Sequence, residues 1–460
     1  MLPWLALWLA CAPAPTLISP DRLAHVGAVS TVDATTVSSG DSAVGDAARP
    51  NVLVVLFDDV GADQLEVFGG GDQAVATPAL AGLAARGVTY PFAYAYPTCS
   101  PARAALVTGV HGHRNGVTRA LRTADLEPLS EDVSTYAEVI DDQGAEVATA
   151  WVGKWHLTPP GNRYRDHPNE RGFDHFAGTL GSLYAKFHSQ RRNMNHYRFE
   201  KIVDGVYVQV DEVWSTTDVV DDALAAIHQL PQPWFMVVAT QAAHDPYSEP
   251  PPGLIDEPLE GTGDAAVYRR MIQGADAEIG RLLDEVDLDR TVVVYLGDNG
   301  VPSDVTGPVV SPDQAKGTLA EGGVRVGMIA AGPGVPEGVV SEQLVSIVDI
   351  VPTAAELQGV SLVAVQPDGV SLAGSWDAGD LVTPLHTVVR TLATGDERTS
   401  QMVRGPDFKL VATELAGVHS EELYDLRHGA TRDGDDLLLG DLSPDAEQAL
   451  EALRGELLPL

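Results

Sequence analysis

Two cysteines in 460 residues leave no material for a disulfide framework. Cys11 lies in an export-like N-terminal segment, and Cys99 then has no obvious partner. A lone cysteine in an exported chain is a candidate reactive thiol. Lysine is almost as scarce: Lys154, Lys186, Lys201, Lys316 and Lys409 are the only five. Positive charge as a whole is short, with 29 Lys and Arg against 65 Asp and Glu, a net charge of -36 and a pI near 4.5. That balance excludes nucleic-acid binding through a basic face. The acidity reads first as solubility, since a metal site would need only a few of those acids. No internal repeat is visible, and beyond the N-terminus no stretch is apolar and long enough to cross a bilayer.

What is present is a large apolar fraction, 44%, enough for a sizeable core and, by length, two to three domains. Met1 to Ala10 reads MLPWLALWLA, too short to span a membrane and fitting a signal h-region. Leu9-Ala10-Cys11 resembles a bacterial lipoprotein cleavage box. Residues 1–11 are therefore expected to be an export signal, with lipid on Cys11 tethering the chain to the bacterial periplasm or outer envelope. Residues 12–49, rich in Ala, Ser, Thr, Asp and Pro, read as a flexible linker.

From Asn51 the pattern changes. Runs 52–57 (VLVVLF), 147–152, 235–240, 292–296 and 326–331 are apolar, β-branched and too continuous for strands with one wet face. Helix-like segments alternate with them at 77–87, 101–108, 134–143, 217–229 and 265–285. The alternation predicts an α/β fold with a mostly parallel sheet sandwiched by helices over residues 50–375. Residues 376–460 carry shorter strand-like pieces (387–393, 401–403, 408–412, 422–426) and an amphipathic helix near 444–457, and predict a smaller α+β subdomain with an antiparallel sheet.

The strand ends hold the chemistry. Asp58-Asp59 follows the first run, Gly153-Lys154-Trp155-His156 the second, Gln241-Ala242-Ala243-His244-Asp245-Pro246 the third and Gly297-Asp298-Asn299-Gly300 the fourth. In open α/β sheets, ligands bind beyond the carboxyl ends of the strands. Any one of these could be a turn or a helix cap; together they deliver acids, a lysine, two histidines and an amide to one sheet edge.

Cys99-Ser100-Pro101-Ala102-Arg103, continued by Ala104-Ala105-Leu106-Val107-Thr108-Gly109, resembles the signature of the type I, formylglycine-dependent sulfatases of the alkaline phosphatase superfamily. The resemblance runs from about Asn51 through Asp425, with several motifs in the family's order, including Lys316-Gly317-Thr318-Leu319-Ala320-Glu321-Gly322-Gly323-Val324-Arg325. It implies an alkaline-phosphatase-like sheet and hydrolysis of a sulfate monoester. It also implies oxidation of Cys99 to formylglycine by a maturation enzyme. The hydrated aldehyde is a gem-diol: one hydroxyl attacks sulfur, and loss of the second proton re-forms the aldehyde and expels sulfate.

By the same resemblance, Asp58, Asp59, Asp298 and Asn299 hold a divalent cation next to residue 99. Their all-oxygen chemistry suits Ca²⁺, with Mg²⁺ as the other ion that fits. Lys154 and Lys316 clamp the sulfate oxygens, and Arg103 holds residue 99 and balances the acids. His244 serves as general acid to the leaving oxygen and His156 as the base for the second gem-diol proton. The implied partner is a sulfated small molecule or glycan. Val110, Gly112 and Thr158 depart from the family's usual residues, which leaves the pocket rim and substrate choice open. His111 and His113 are left to packing. Two other functions stay open: a phosphate or phosphonate ester hydrolase of the same superfamily, disfavoured by Asn after Asp298, and a non-catalytic calcium-binding surface lipoprotein.

Overall fold

The computed structural model describes residues 49–458 apart from 72–73, 123–124, 126, 160, 184–193, 308–309, 380, 382–385, 387–388, 395–397 and 428–432. The export segment, Cys11, the linker up to residue 48, and Thr387 and Val388 of one expected strand lie outside the described residues.

Strand β1 (Asn51–Phe57) shows why a continuous apolar run is needed. Val52, Val54 and Leu56 enter one core, while Leu53, Val55 and Phe57 enter the other. All seven residues are buried. With each buried aliphatic side chain worth roughly 1.5–3 kcal/mol, neither face tolerates a polar residue cheaply. β1 runs parallel to β8 (Trp234–Ala239) on one side and β9 (Thr291–Gly297) on the other. Beyond β8 lie β4 (Ala148–Lys154) and β5 (His175–Thr179), also parallel.

The ten-stranded sheet is completed by β2 (Gly87–Tyr90), β6 (Arg198–Val203), β7 (Val206–Asp211), β10 (Met328–Ala331) and β11 (Val339–Val340), in the order β11-β2-β10-β9-β1-β8-β4-β5-β6-β7. The expected α/β sheet sandwiched by helices is thus present, with a parallel centre. Its flanks turn antiparallel: β10 pairs antiparallel with β9 and β2, and β6–β7 is a hairpin added outside β5. Run 326–331 is as apolar as its parallel neighbours, and hydropathy carries no strand direction. No strand is expected from the sequence for 198–211, because charged and polar residues (Arg198, Glu200, Lys201, Gln209, Asp211) interrupt the apolar run there.

Helices Ser215–Gln229 and Asp264–Glu285 cover one face of the sheet. Helices Cys99–Thr108 and Ile350–Gln358 pack on the other. A two-stranded sheet, β3 (Ala93–Tyr94) with β12 (Val345–Ser346), lies at the margin. The C-terminal part forms the antiparallel sheet β13 (Val389–Thr394), β14 (Arg398–Arg404), β15 (Phe408–Leu415) and β16 (Val418–Asp425), backed by helix Pro444–Gly455. A small cluster of Tyr94, Leu319, Val324, Met402 and Val411 joins it to the larger unit. No helix among the described residues is long and apolar enough to cross a membrane.

Candidate active site

Four parallel strands end at one place. β1 passes into Asp58-Asp59, β4 ends on Lys154 just before His156, β8 leads to His244, and β9 leads to Asp298-Asn299. Backbone bonds fix the strand ends to one another: Asp58 N–H to Ala242 O (3.2 Å), Ala243 N–H to Asp58 O (2.8 Å) and Asp298 N–H to Phe57 O (2.9 Å). Asp59 and His156 sit in the left-handed region, at φ 64° and 58°. Such backbone costs on the order of 1 kcal/mol and clusters at sites where geometry is dictated by function.

Gly153 lets β4 come close enough. It has φ +100°, and a Cβ there would lie 1.9 Å from the carbonyl oxygen of Ala239 on β8. No other residue allows Lys154 to leave the sheet edge at that point.

Cys99 opens helix Cys99–Thr108 and is 2% exposed. A helix N-terminus favours negative charge at this position. Its Sγ, standing in for the oxygens that an aldehyde hydrate would carry, lies 3.5 Å from Asp58 Oδ1 and 3.9 Å from Asp59 Oδ1. Lys154 Nζ is 3.5 Å from the same sulfur and Lys316 Nζ 3.7 Å. Lys154 pairs with Asp58, and Lys316 with Asp59. One helical turn on, Arg103 places Nε 3.1 Å and Nη2 2.8 Å from Asp298 Oδ2, with the same Nη2 3.6 Å from Asp58 Oδ2. It also donates to the carbonyl of Lys154. Asp59 N–H donates to Asp298 Oδ1 at 3.1 Å.

All eight expected charged or polar groups other than His156 are thereby linked to one another around Cys99. Asp58, Asp59, Cys99 and His244 each offer a ligand atom within 4.8 Å of the others. Asp298 and Asn299 adjoin that group through Asp59. Asn299 donates from Nδ2 to Asp59 Oδ1 at 2.8 Å, while its buried Oδ1 has no hydrogen-bond partner among the described residues. A dry amide oxygen beside three buried carboxylates fits a hard cation, and nothing in this oxygen set asks for a softer metal.

Electrostatics divides the histidines. Burial pushes His156 down, the Lys154 and Arg103 charges push further, and its pKa falls well below the usual imidazole value. It is neutral at ordinary pH. Its Nε2 donates to Leu121 O at 3.2 Å, which leaves Nδ1 as the bare, acceptor nitrogen, buried and without a partner among the described residues. For His244, burial and Lys154 push down, but Asp59 and Asp58 outweigh them and lift the pKa well above the usual value. Its Nδ1 donates to Asp245 O at 2.7 Å and its Nε2 lies 3.9 Å from Asp59 Oδ2. For Asp58, burial raises the pKa, but Lys154, His244 and Arg103 together hold it below the ordinary carboxylate range. Asp59 behaves likewise through Lys316 and His244.

Three supporting groups had no signal in the sequence. His196, at the start of the β6–β7 hairpin, donates Nε2–H to His244 O at 3.0 Å and accepts from Ser215 Oγ at 2.6 Å. Burial lowers its pKa to about 4, so it stays neutral. Tyr268, near the start of helix Asp264–Glu285, donates to Asp59 O at 2.8 Å. Ser100 donates nothing to the pocket; its Oγ accepts from Leu121 N–H at 3.0 Å and so fixes the carbonyl that orients His156. His111 bonds Tyr96 OH through Nδ1 at 2.8 Å, beyond the far end of the Cys99 helix, and is a packing residue as expected.

A ten-stranded, centrally parallel α/β sheet thus brings Cys99 together with acids, lysines and histidines at its carboxyl edge. The chain belongs to the sulfatase family, whose sequence profile (Sulfatase) matches residues 50–360. N-acetylgalactosamine-6-sulfatase of the dog, Canis lupus familiaris, is 30% identical over 357 residues, 70% of this chain and 65% of the relative. The chain therefore spans just under two thirds of that relative's length. Two solved structures share the fold. Ps i-CgsB, in complex with k-i-k-neocarrahexaose, superposes with a TM-score of 0.72 at 23% identity, over 89% of this chain and 92% of the other. A protein in complex with its substrate D-glucosamine-2-N,6-O-disulfate does so with a TM-score of 0.68 at 19% identity, over 89% and 97%.

Proposed function

We propose that this chain is a sulfuric ester hydrolase that cleaves a sulfate monoester, with formylglycine made from Cys99 as nucleophile and one divalent cation, Ca²⁺ or Mg²⁺, held by Asp58, Asp59, Asp298 and Asn299. The observation that carries the reading is the environment of Cys99 Sγ: two carboxylates at 3.5 and 3.9 Å and two lysines at 3.5 and 3.7 Å, at a helix N-terminus. A structural cysteine needs none of these.

Charge counting supports the cation. Asp58, Asp59 and Asp298 are matched by Arg103, Lys154 and Lys316, and the protonated His244 by Asp245 at 3.0 Å, so the fixed charges cancel. A divalent ion would turn this neutral pocket into one suited to a sulfate ester, and when bound it would supply Lewis acidity at the nucleophile and the sulfate oxygens. Lys154 and Lys316, each within 3.7 Å of Cys99 Sγ, would hold the sulfate oxygens. Arg103 fixes the Asp298 carboxylate and the Lys154 carbonyl. His244 would give its proton to the leaving oxygen. His156, with a bare buried nitrogen, would take the proton whose loss returns residue 99 to its resting state.

A sulfated glycan is the substrate class favoured here, because the relative named above is a sulfatase of an amino sugar and one fold neighbour holds a sulfated glucosamine. Export and a lipid tether at Cys11 rest on the N-terminal sequence alone, and the mass of the mature N-terminus tests them. The deciding experiment expresses the chain with a formylglycine-generating enzyme. It measures the mass of the peptide around Cys99, then compares turnover of an aryl sulfate and the matching aryl phosphate before and after chelation. Aldehyde at residue 99, preference for sulfate and loss of turnover on chelation are expected. An unmodified thiol in fully active protein overturns the mechanism, and a preference for phosphate replaces it with the phosphate-ester reading.

A further inference from the structure

Lysine is rare in this chain, and among the described residues Lys154, Lys201 and Lys409 are buried and Lys316 is partly buried. Four of the five fall among the described residues, and each is paired with carboxylates. Lys154 and Lys316 belong to the pocket, and Lys201 ties Asp218 to Asp222 on a covering helix. Lys409 has no part in what has been described. It sits on β15, in the C-terminal sheet, with its ammonium fully buried.

Three oxygens surround that ammonium. Leu319 O lies at 3.2 Å and Glu321 Oε1 at 3.3 Å, and Asp433 Oδ1 makes the third contact. The ammonium donates to Leu319 O and Glu321 Oε1 and adds an ion pair to Asp433, a set that a compact ammonium suits better than a planar guanidinium. Asp433 turns its other oxygen to the same segment and accepts from Glu321 N–H at 2.8 Å. Glu321 Oε2 in turn accepts from Tyr94 OH at 3.0 Å. The segment gripped in this way is the one that starts at Lys316. Its proximal end is held by the backbone bonds Lys316 N–H to Val301 O and Gly317 N–H to Pro97 O, both within 2.9 Å, and by the Lys316–Asp59 ion pair.

Burying an ammonium and two carboxylates is costly, and apolar side chains of similar size would serve stability as well or better. A registry role accounts for the expense. We propose that Lys409, with Asp433, is a positioning residue for Lys316: the C-terminal sheet sets where the 316–325 segment lies, and so where the Lys316 ammonium meets Asp59 and residue 99. This rests on the sulfatase reading only for what Lys316 does once it is in place.

The test is a double-mutant cycle on the matured, full-length protein with an activated aryl sulfate. Lys409→Met should lower kcat/KM about tenfold or more. In the Lys316→Ala background the same change should cost less than about twofold, because the residue it positions is already gone. Losses that multiply would mean that Lys409 acts on overall folding and would overturn the inference. Asp433→Asn, which keeps shape and removes the charge, is the second variant and should behave the same way; it decides the matter if Lys409→Met does not fold. Hydrogen exchange gives a readout that needs no turnover. In either variant, amides 317–325 should exchange faster while those of β4 around Lys154 do not change. Unchanged protection at 317–325 overturns the proposal even if the protein hydrolyses no sulfate ester, whereas absence of turnover with the exchange as expected would count against the sulfatase reading alone.

Discussion

His156 and His244 come from different strand ends and carry opposite protonation preferences, so removing them should have different consequences. A proton donor at the leaving oxygen matters most when the departing alcohol is a poor leaving group. His244→Ala should therefore slow a sugar sulfate by about 10²–10³ and an activated nitrophenyl sulfate far less. His156→Ala should slow both equally, since expulsion of sulfate is the same step whatever alcohol has left, and sulfate should remain covalently on the protein, visible by intact-protein mass. Equal losses for His244→Ala on both substrates, with that adduct, would exchange the two roles. Cys99→Ser should keep the melting temperature within a few degrees and abolish turnover, because a serine can attack but has no route to expel sulfate. At this scale the sequence was informative: Asp58, Asp59, Lys154, His244, Asp298 and Lys316 all stand where motif order put them. His196 and Tyr268 were silent, since a histidine in a hairpin and a tyrosine within a helix carry no mark of the backbone carbonyl they will hold.

Among the elements, helix Pro78–Ala85 is capped from a distance. Thr77 occupies the N-cap position but makes no capping bond; Asp276, from helix Asp264–Glu285, accepts from Ala79 N–H at 3.0 Å and Leu80 N–H at 2.9 Å. Burial raises Asp276 to about 6, and those two N–H groups offset it only in part. A carboxyl with a raised folded-state pKa favours the fold when protonated. Its contribution is full below about pH 4 and is lost as pH rises through about 6, at a cost of about 3 kcal/mol above that range. Asp276→Asn should remove this component: the stability difference between wild type and variant, followed by urea unfolding, should change between pH 4 and 6 and be flat above 7. A difference independent of pH would show that the carboxyl ionises normally. β4 supplies a second check. Gly153→Ala should destabilise by roughly 2 kcal/mol or more, as its methyl would meet the β8 backbone. The central strands were legible because burial on both faces writes an unbroken apolar run. The β6–β7 hairpin, the short β2 and the direction of β10 were not, because charged residues interrupt β6 and β7, β2 is only four residues long, and hydropathy has no polarity.

For the molecule as a whole, the dominant quantity is a net charge of -36. Acids outnumber Lys and Arg by 65 to 29 over the chain, so a polyanionic substrate approaches a negative body. Salt screens that repulsion, over a Debye length of about 10 Å at 0.1 M. Raising NaCl from about 0.05 to 0.5 M should increase kcat/KM for a sulfated oligosaccharide severalfold while leaving a singly charged aryl sulfate nearly unchanged. A fall for the oligosaccharide would reveal a local basic path into the site. The same composition that excluded nucleic acid from the sequence alone thus bears on how a sulfated polymer is captured.

The burial of Cys99 also sets a timetable. Its side chain is 2% exposed and is walled in by Lys316, which lies 217 residues further along the chain. At synthesis rates of roughly 5–20 residues per second, on the order of 10–40 s pass between the emergence of the cysteine and of the lysine that closes over it. An enzyme that oxidises this thiol would have to finish within that interval, or before the chain folds on the far side of a membrane. Slowing translation between the two residues should then raise the fraction of molecules that leave the ribosome already modified.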